Sequence, residues 1–411
     1  VTIADLDAGT PLIEVAAAAR AWLAEHLPAD WRAAALDGRT ADLERIRRAR
    51  AARWYETLGE SGFATPTWPR EHGGFGVGAD AAAVIADELT RLGAGRPAED
   101  FPGVALAGPT IIAWGDAAQK ERYLRPLALG RERWCQLFSE PGAGSDLAAL
   151  STRARRREDG AWVVSGQKVW SSYAHISDFG LLMARSDPDE RKHRGITYFL
   201  LDMRSEGVEV RPLRQMNDEA EFNEVFLNDV VVPDAARLGP AGRGWSVAIT
   251  TLMAERSGLS GRPGVGPALV DGLAARARAT GAWDDPAVRD RIMSAFVAEK
   301  ALQMTTVRAF VELGEREPGA EGSIRKLAHA ALEEEVGRIA AEIEPFGLAA
   351  GTRDPDGAAD RALRAFLSSK ILSIAGGTSE IQRNIIGERL LDLPRDRDPH
   401  AGLPFRERPR G

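Results

Sequence analysis

Apolar and polar positions change period twice along the chain. Over residues 79–92, Val84, Ile85, Leu89 and Leu92 share one helical face with Glu and Arg opposite, and residues 43–58 repeat the pattern. Thr65-Pro66-Thr67-Trp68-Pro69 and His72-Gly73-Gly74-Phe75-Gly76 read as loops between such helices. From about Arg133 to Pro233 the period shortens. Segments 161–164, 179–184, 196–202, 208–211 and 222–232 are short, rich in aromatic and β-branched residues, and separated by turn signals, which predicts strands in an antiparallel sheet or barrel. Beyond Pro240, helical spacing returns over 245–257, 267–280, 286–315, 323–344, 358–374 and 379–390, as in a bundle. Helices, then strands, then helices argue against a doubly wound dinucleotide fold.

The 411 residues suffice for two or three packed units, and 44% hydrophobic with 27% charged residues is an ordinary globular composition. A net charge of -7 argues against nucleic acid as a partner, which needs a basic footprint. The run Arg153-Ala154-Arg155-Arg156-Arg157 reads as a solvated hairpin or strand edge. Without an apolar run of 18 residues or a basic-then-apolar start, no membrane span or signal peptide is expected. The single cysteine, Cys135, in an apolar context, fits a buried thiol and a reducing cytoplasm. No metal site is expected.

Four short motifs carry the candidate chemistry. Gly76-Val77-Gly78-Ala79-Asp80-Ala81 matches a loose dinucleotide pattern but lacks a preceding strand, so it reads as a loop before a helix. It is not one of the four. Ser139-Glu140-Pro141-Gly142-Ala143-Gly144-Ser145-Asp146 has the glycines and hydroxyls to approach a pyrophosphate closely, or is a ligand-free hairpin. Gly166-Gln167-Lys168-Val169-Trp170-Ser171-Ser172 offers an indole to stack on a flat ring, or a core tryptophan on a strand. Glu255-Arg256 lies inside an apolar helix, as a functional acid or a surface ion pair. Ile374-Ala375-Gly376-Gly377-Thr378-Ser379-Glu380-Ile381-Gln382-Arg383 is a turn between two helices.

In order and spacing these four motifs resemble the acyl-CoA dehydrogenase family over about residues 43–393, and its actinobacterial branch most of all. The resemblance implies an α+β, acyl-CoA dehydrogenase-like fold: an N-terminal α-helical domain over 1–132, a middle antiparallel β-barrel domain over 133–238, and a C-terminal four-helix-bundle domain over 239–411. It implies FAD, held by Gln136, Phe138, Ser139, Ser145, Trp170, Ser172, Thr378 and Glu380, and oxidation of an acyl thioester, such as an acyl-CoA, to its 2,3-enoyl form. Many members carry the catalytic glutamate at the position of Gly376. Here the resemblance places the base at Glu255, as in members with the base on the Glu-Arg helix. Ser145, Arg256 and Gly376 would meet the substrate, Gly376 through its backbone N–H. Glycine there would leave room for a branched or bulky acyl group.

The expected electron acceptor is an electron-transfer flavoprotein. A homo- or hetero-oligomer is expected, dimer or tetramer. Two flavin-contact segments of the family are altered, with Arg278 near one and Glu344-Pro345-Phe346-Gly347 near the other, which leaves room for an α2β2 heterotetramer. Alternatives are a flavin oxidase or tailoring dehydrogenase acting on a carrier-protein-bound acyl group, or a non-catalytic subunit.

Overall fold

In the computed structural model, residues 2–259, 269–313, 320–344 and 358–409 are described. The chain divides into two compact units: Val1–Leu213 with Ala220–Ala254 and Pro399–Gly411, and Arg214–Glu219 with Glu255–Asp398.

The first unit opens with helices α1 (Leu12–His26), α2 (Ala29–Leu36), α3 (Thr40–Ser61), α4 (Ala79–Arg91), α5 (Gly108–Trp114) and α6 (Ala117–Ala128). Trp22, Trp31, Trp54, Phe63 and Phe75 fill their core. The indole N–H groups of Trp31 and Trp54 donate to the carbonyls of Leu92 (3.0 Å) and Ala94 (2.7 Å), so the large rings are buried without orphaned donors. The 76–81 segment is a loop that enters α4 at Ala79, with no strand before it, as its context predicts.

Strands β1 (Trp134–Leu137), β2 (Arg153–Arg156), β3 (Trp162–Lys168), β4 (Phe179–Arg185), β5 (Ile196–Asp202), β6 (Val208–Pro212) and β7 (Asn223–Val232) form one curled sheet. One part runs β1-β4-β5 and the other β2-β3-β7-β6, and they join where Arg153 pairs with Arg185. Most pairs are antiparallel, as expected. The exceptions both involve β4: its single-residue join to β2 is parallel, and so is its pairing with β1, because the β2–β3 hairpin and the loop after it form a crossover between β1 and β4. The basic run is the exposed edge of that hairpin, with only Ala154 turned inward.

Every residue of β4 is buried, because both faces are covered. Phe179, Leu181 and Met183 face a helix-lined core with Ile111, Trp134 and Val247, whereas Leu182 and Ala184 face Trp162, Phe199 and Cys135. Cys135 is buried, and burial pushes its thiol up to about 12, which makes it inert at neutral pH.

Helix α7 (Gly244–Leu259) begins in the first unit, where Thr251 is hydrogen-bonded to Thr110 and Tyr198 at 3.0 Å each. The second unit holds α8 (Leu269–Thr280), α9 (Pro286–Leu313), α10 (Glu321–Glu342), α11 (Ala358–Ser368) and α12 (Ser379–Arg389). Helix α10 is its hub, packed on α9, α11 and α12. Gly337 permits this, since a Cβ there would lie 3.2 Å from the Phe366 backbone of α11. The helix expected over 358–374 stops at Ser368. Ser369 and Ser373 turn their hydroxyls onto the carbonyls of Phe366 (2.7 Å) and Lys370 (2.9 Å), and only a short 3₁₀ turn follows. Pro345, Phe346 and Gly347 lie outside the described residues, as does the side chain of Arg256.

Candidate active site

The 139–146 turn is held from below by charge. Pro141 and Gly142 form its tip, closed by reciprocal backbone bonds between Glu140 and Ala143 of 3.1 and 3.0 Å. The Glu140 carboxylate is buried and accepts from the backbone N–H groups of Ser151 (2.7 Å) and Thr152 (2.9 Å), and from Lys168 Nζ (2.8 Å). Lys168 is wholly buried and also donates to the Phe138 carbonyl at 3.0 Å. Burial raises the Glu140 pKa, but Lys168 and these hydrogen bonds outweigh it, so the carboxyl sits below its ordinary value. The two motifs are thus joined by their own glutamate and lysine, roles not expected from the sequence. One signal was available: Lys168 falls in step with the buried Trp162 and Val164 of β3.

Arg185, on β4, supports the same turn from its far end. Its guanidinium donates to the carbonyls of Ala148 (2.7 Å), Lys192 (2.9 Å) and Arg194 (2.8 Å), and Phe405 near the C-terminus covers it at 3.8 Å. Lys192 is ion-paired to Asp146. Above these anchors, Ser145 is exposed and Ser139 half-buried. Gln136 is half-buried on β1. Phe138 is a core residue, edge-on to Tyr198 at 5.8 Å.

Trp170 is not a core tryptophan. It is 60% exposed, just beyond β3, with its backbone left-handed at φ +59°. That conformation costs a bulky residue about 1–3 kcal/mol and concentrates at functional sites. The buried Asn223 fixes it: its amide donates to the Ser171 carbonyl at 2.9 Å, and the Ser171 N–H donates to the Asn223 carbonyl at 3.0 Å. Phe222 lies edge-on to the indole at 5.9 Å, leaving the ring presented beside the half-buried Ser172.

The other sequence-predicted site residues lie in the second unit. Gly376 and Gly377 are both left-handed, at φ +63° and +89°. Thr378 caps α12, its hydroxyl accepting from the Ile381 N–H at 3.3 Å. Glu380 is exposed and paired with Arg383 at 3.1 Å. The turn's carbonyls are held from one side. Lys326 Nζ donates to the Gly377 carbonyl at 2.6 Å, and Gln382 Nε2 donates to those of Gly377 (3.1 Å) and Gly376 (3.3 Å). The N–H groups of Gly376, Gly377 and Thr378 make no hydrogen bond among the described residues. Glu255 is half-buried on α7. Burial lowers the Lys326 pKa, while the charges of Glu380 and Glu255 oppose that shift. Neither Lys326 nor Gln382 was singled out from the sequence. Arg278 stacks on Trp283 at 4.2 Å. Among the described residues no three metal-ligating side chains stand together, and no helix is long and apolar enough to cross a membrane.

Three family models together match most of the chain: the acyl-CoA dehydrogenase N-terminal domain over residues 13–131, the middle domain over 135–230 and the C-terminal domain over 242–391. The chain belongs to the acyl-CoA dehydrogenase family. Among curated relatives, acyl-CoA dehydrogenase IpdE1 of Mycobacterium tuberculosis (strain ATCC 25618 / H37Rv) is 37% identical over 388 residues, 93% of this chain and 98% of that one. Among solved structures, the Tcur3481-Tcur3483 steroid ACAD is 27% identical with a TM-score of 0.77, over 95% of this chain and 100% of that one. The ChsE4-ChsE5 complex from Mycobacterium tuberculosis is 28% identical with a TM-score of 0.73, over 94% and 99%. This acyl-CoA dehydrogenase thus has the helix, sheet and helix order of its family, which is a family of flavoproteins.

Proposed function

We propose that this chain binds FAD and oxidises a bulky or branched acyl-CoA thioester to its 2,3-enoyl form, with Glu255 as the base. The observation that carries the assignment is Lys326, which is bonded to the diglycine turn and feels the charge of Glu255. The proposed base and the turn that carries the backbone donors are thereby linked through one buried lysine, which holds the turn's carbonyl side and feels the charge of Glu255.

The donor set suits a flavin dinucleotide. The presented Trp170 offers a flat face, Ser139, Ser145 and Ser172 offer hydroxyls, and the α12 N-terminus at Thr378 suits a phosphate. Gln136 and the backbone of Phe138 line the same strand end, and Glu380 stands at the first turn of α12.

The division of labour follows from the residue types. The thioester Cα–H is a weak acid, so its carbonyl oxygen needs donors as enolate charge develops; the N–H of Gly376 supplies one. The Glu255 carboxylate takes the Cα proton. Arg256, next along α7, would orient the thioester. A bound flavin would supply the acceptor for the hydride leaving Cβ, and an electron-transfer flavoprotein would be the partner that takes the electrons onward.

Gly376 presents no side chain toward the substrate, which supports a bulky acyl group, and one structural neighbour is named as a steroid enzyme. An oligomer is part of the proposal. Met293, Val297, Met304 and Val307 form an exposed apolar stripe on α9, and a second chain would cover it. One neighbour is itself a complex of two named chains. The domains at 1–132, 133–238 and 239–411 remain the frame for this reading.

Anaerobic titration with a panel of straight, branched and polycyclic acyl-CoA esters tests it through bleaching of the flavin absorbance. Bleaching is expected with the bulky esters and lost in Glu255→Gln, which still binds them. Normal bleaching by E255Q would overturn the base; turnover confined to short straight chains would overturn the substrate class.

A further inference from the structure

Lys326 and Gln382 are buried polar side chains, 6% and 1% exposed, that converge on two successive carbonyls of one turn. Burying an ammonium is costly unless it gains strong partners. Here a lysine is spent on the neutral carbonyl of Gly377, 51 residues away in sequence. Two consecutive glycines can take left-handed φ without steric cost, so the side chains bonded to their carbonyls, rather than local sterics, decide which way these peptide units face.

The direction of the restraint has a chemical consequence. Among the described residues no peptide bond is cis. In a trans peptide the N–H points opposite to the C=O of the same unit. Lys326 and Gln382 hold the carbonyls of Gly376 and Gly377, so the N–H groups of Gly377 and Thr378 point away from the clamp. Those two N–H groups and that of Gly376 are the ones without a hydrogen-bond partner among the described residues. Gln382 also closes the space a side chain would need, since a Cβ on Gly377 would lie 2.8 Å from its Nε2.

We infer that Lys326, with Gln382, is a positioning residue that aims the backbone N–H groups of Gly377 and Thr378, beside that of Gly376, at the thioester carbonyl. The inference rests on the thioester-dehydrogenase reading above. Lys326 touches neither substrate nor cofactor in this role. It acts through the turn, by fixing which way the peptide units face and by placing a cation behind them.

The test reads carbonyl polarisation directly. The holoprotein is mixed with para-dimethylaminocinnamoyl-CoA, a chromophoric enoyl thioester that is already oxidised and needs no base. Its absorbance shifts to the red when donors pull on its carbonyl oxygen. The wild type and Glu255→Gln are expected to give the same red shift. Lys326→Met is expected to bind the probe with most of the shift lost while keeping its flavin and its thermal midpoint. Lys326→Arg is expected to regain part of the shift. If K326M does not fold, Gln382→Met carries the same test. A wild-type shift retained in full by K326M, or by Q382M in its place, overturns the inference and leaves the enzymatic reading standing. No shift in the wild type overturns the thioester reading itself.

Discussion

Each unit contains a turn secured by a buried lysine, and the two lysines meet different partners. In the 139–146 turn, Lys168 faces the carboxylate of Glu140, one residue before the turn's tip, so both charges are settled inside the protein. In the 376–378 turn, Lys326 faces a neutral carbonyl, and the opposing charges it feels belong to Glu380 and Glu255. The first arrangement is a foundation: its charges cancel locally, and what the turn shows outside is glycine and hydroxyl. The second leaves a cation whose field extends to the proposed base. A paired buried lysine makes a rigid support. One bonded to a carbonyl also shapes the electrostatics of what lies in front of it.

The largest effect expected from breaking this contrast comes from Lys168→Met. Removing one partner leaves the Glu140 carboxylate buried without its cation, which costs about 3–5 kcal/mol. Thermal unfolding of the holoprotein would show it, and Glu140→Gln added to K168M should recover much of the loss. The pH dependence should weaken as well. In the wild type, the folded pKa of Glu140 lies below its unfolded value. Its stabilisation is therefore present above the ordinary carboxylate range and is lost as pH falls through that range, near about pH 4. In K168M, burial is opposed only by the hydrogen bonds from Ser151 and Thr152, so the folded pKa rises relative to the wild type and the stability lost on acidification shrinks. A K168M protein that loses less than about 1 kcal/mol and keeps the wild-type acid dependence would remove the foundation role.

Gly377→Ala comes next and addresses the other turn. At φ +89° a Cβ is strained, and it would meet Gln382 Nε2 at 2.8 Å. Relaxing the clash means moving the clamp, at about 1–3 kcal/mol. The expected readout is weakened flavin retention on gel filtration and a lower thermal midpoint. Gly376→Ala should be milder for the clamp, because Gln382 reaches the Gly376 carbonyl at only 3.3 Å. Equal effects from the two alanines would mean that the side chains behind Gly377 do not set the turn.

Much of this was legible in the sequence because it was local. The period change at Arg133 and again beyond Pro240 marked where helices give way to strands and back, and 196–202 matches β5 residue for residue. The glycine turns were visible as turns. The supports beneath them were not, for a physical reason: a buried lysine on a helix has no local signature that separates it from an exposed one. Lys326 lies within an ordinary-looking helical stretch, and its partner is 51 residues on. The parallel pairing of β1 with β4 was hidden similarly, since register between distant strands is set by what folds between them. Trp170 was read as either a ring platform or a core residue; its left-handed backbone and exposure, enforced by Asn223, are tertiary facts. The early end of the helix expected over 358–374 turned on two serine hydroxyls that compete for backbone carbonyls.

Thr378 tests the smallest difference between the two turns. Its hydroxyl accepts from the Ile381 N–H at 3.3 Å, which makes it the cap of α12. A hydroxyl that accepts one bond still has its own hydrogen to donate. The proposed role toward the cofactor therefore does not compete with capping; the two use different parts of the same group. Removing the group in Thr378→Ala should cost about 1 kcal/mol of stability as a lost cap. If the hydroxyl also donates to the cofactor, FAD should dissociate more readily by roughly five- to tenfold, the worth of one net hydrogen bond. Thr378→Ser keeps acceptor and donor and should restore both. A T378A protein that loses stability but holds FAD as tightly as the wild type would confine Thr378 to the helix end, and would leave the turn's backbone N–H groups as its contribution to the site.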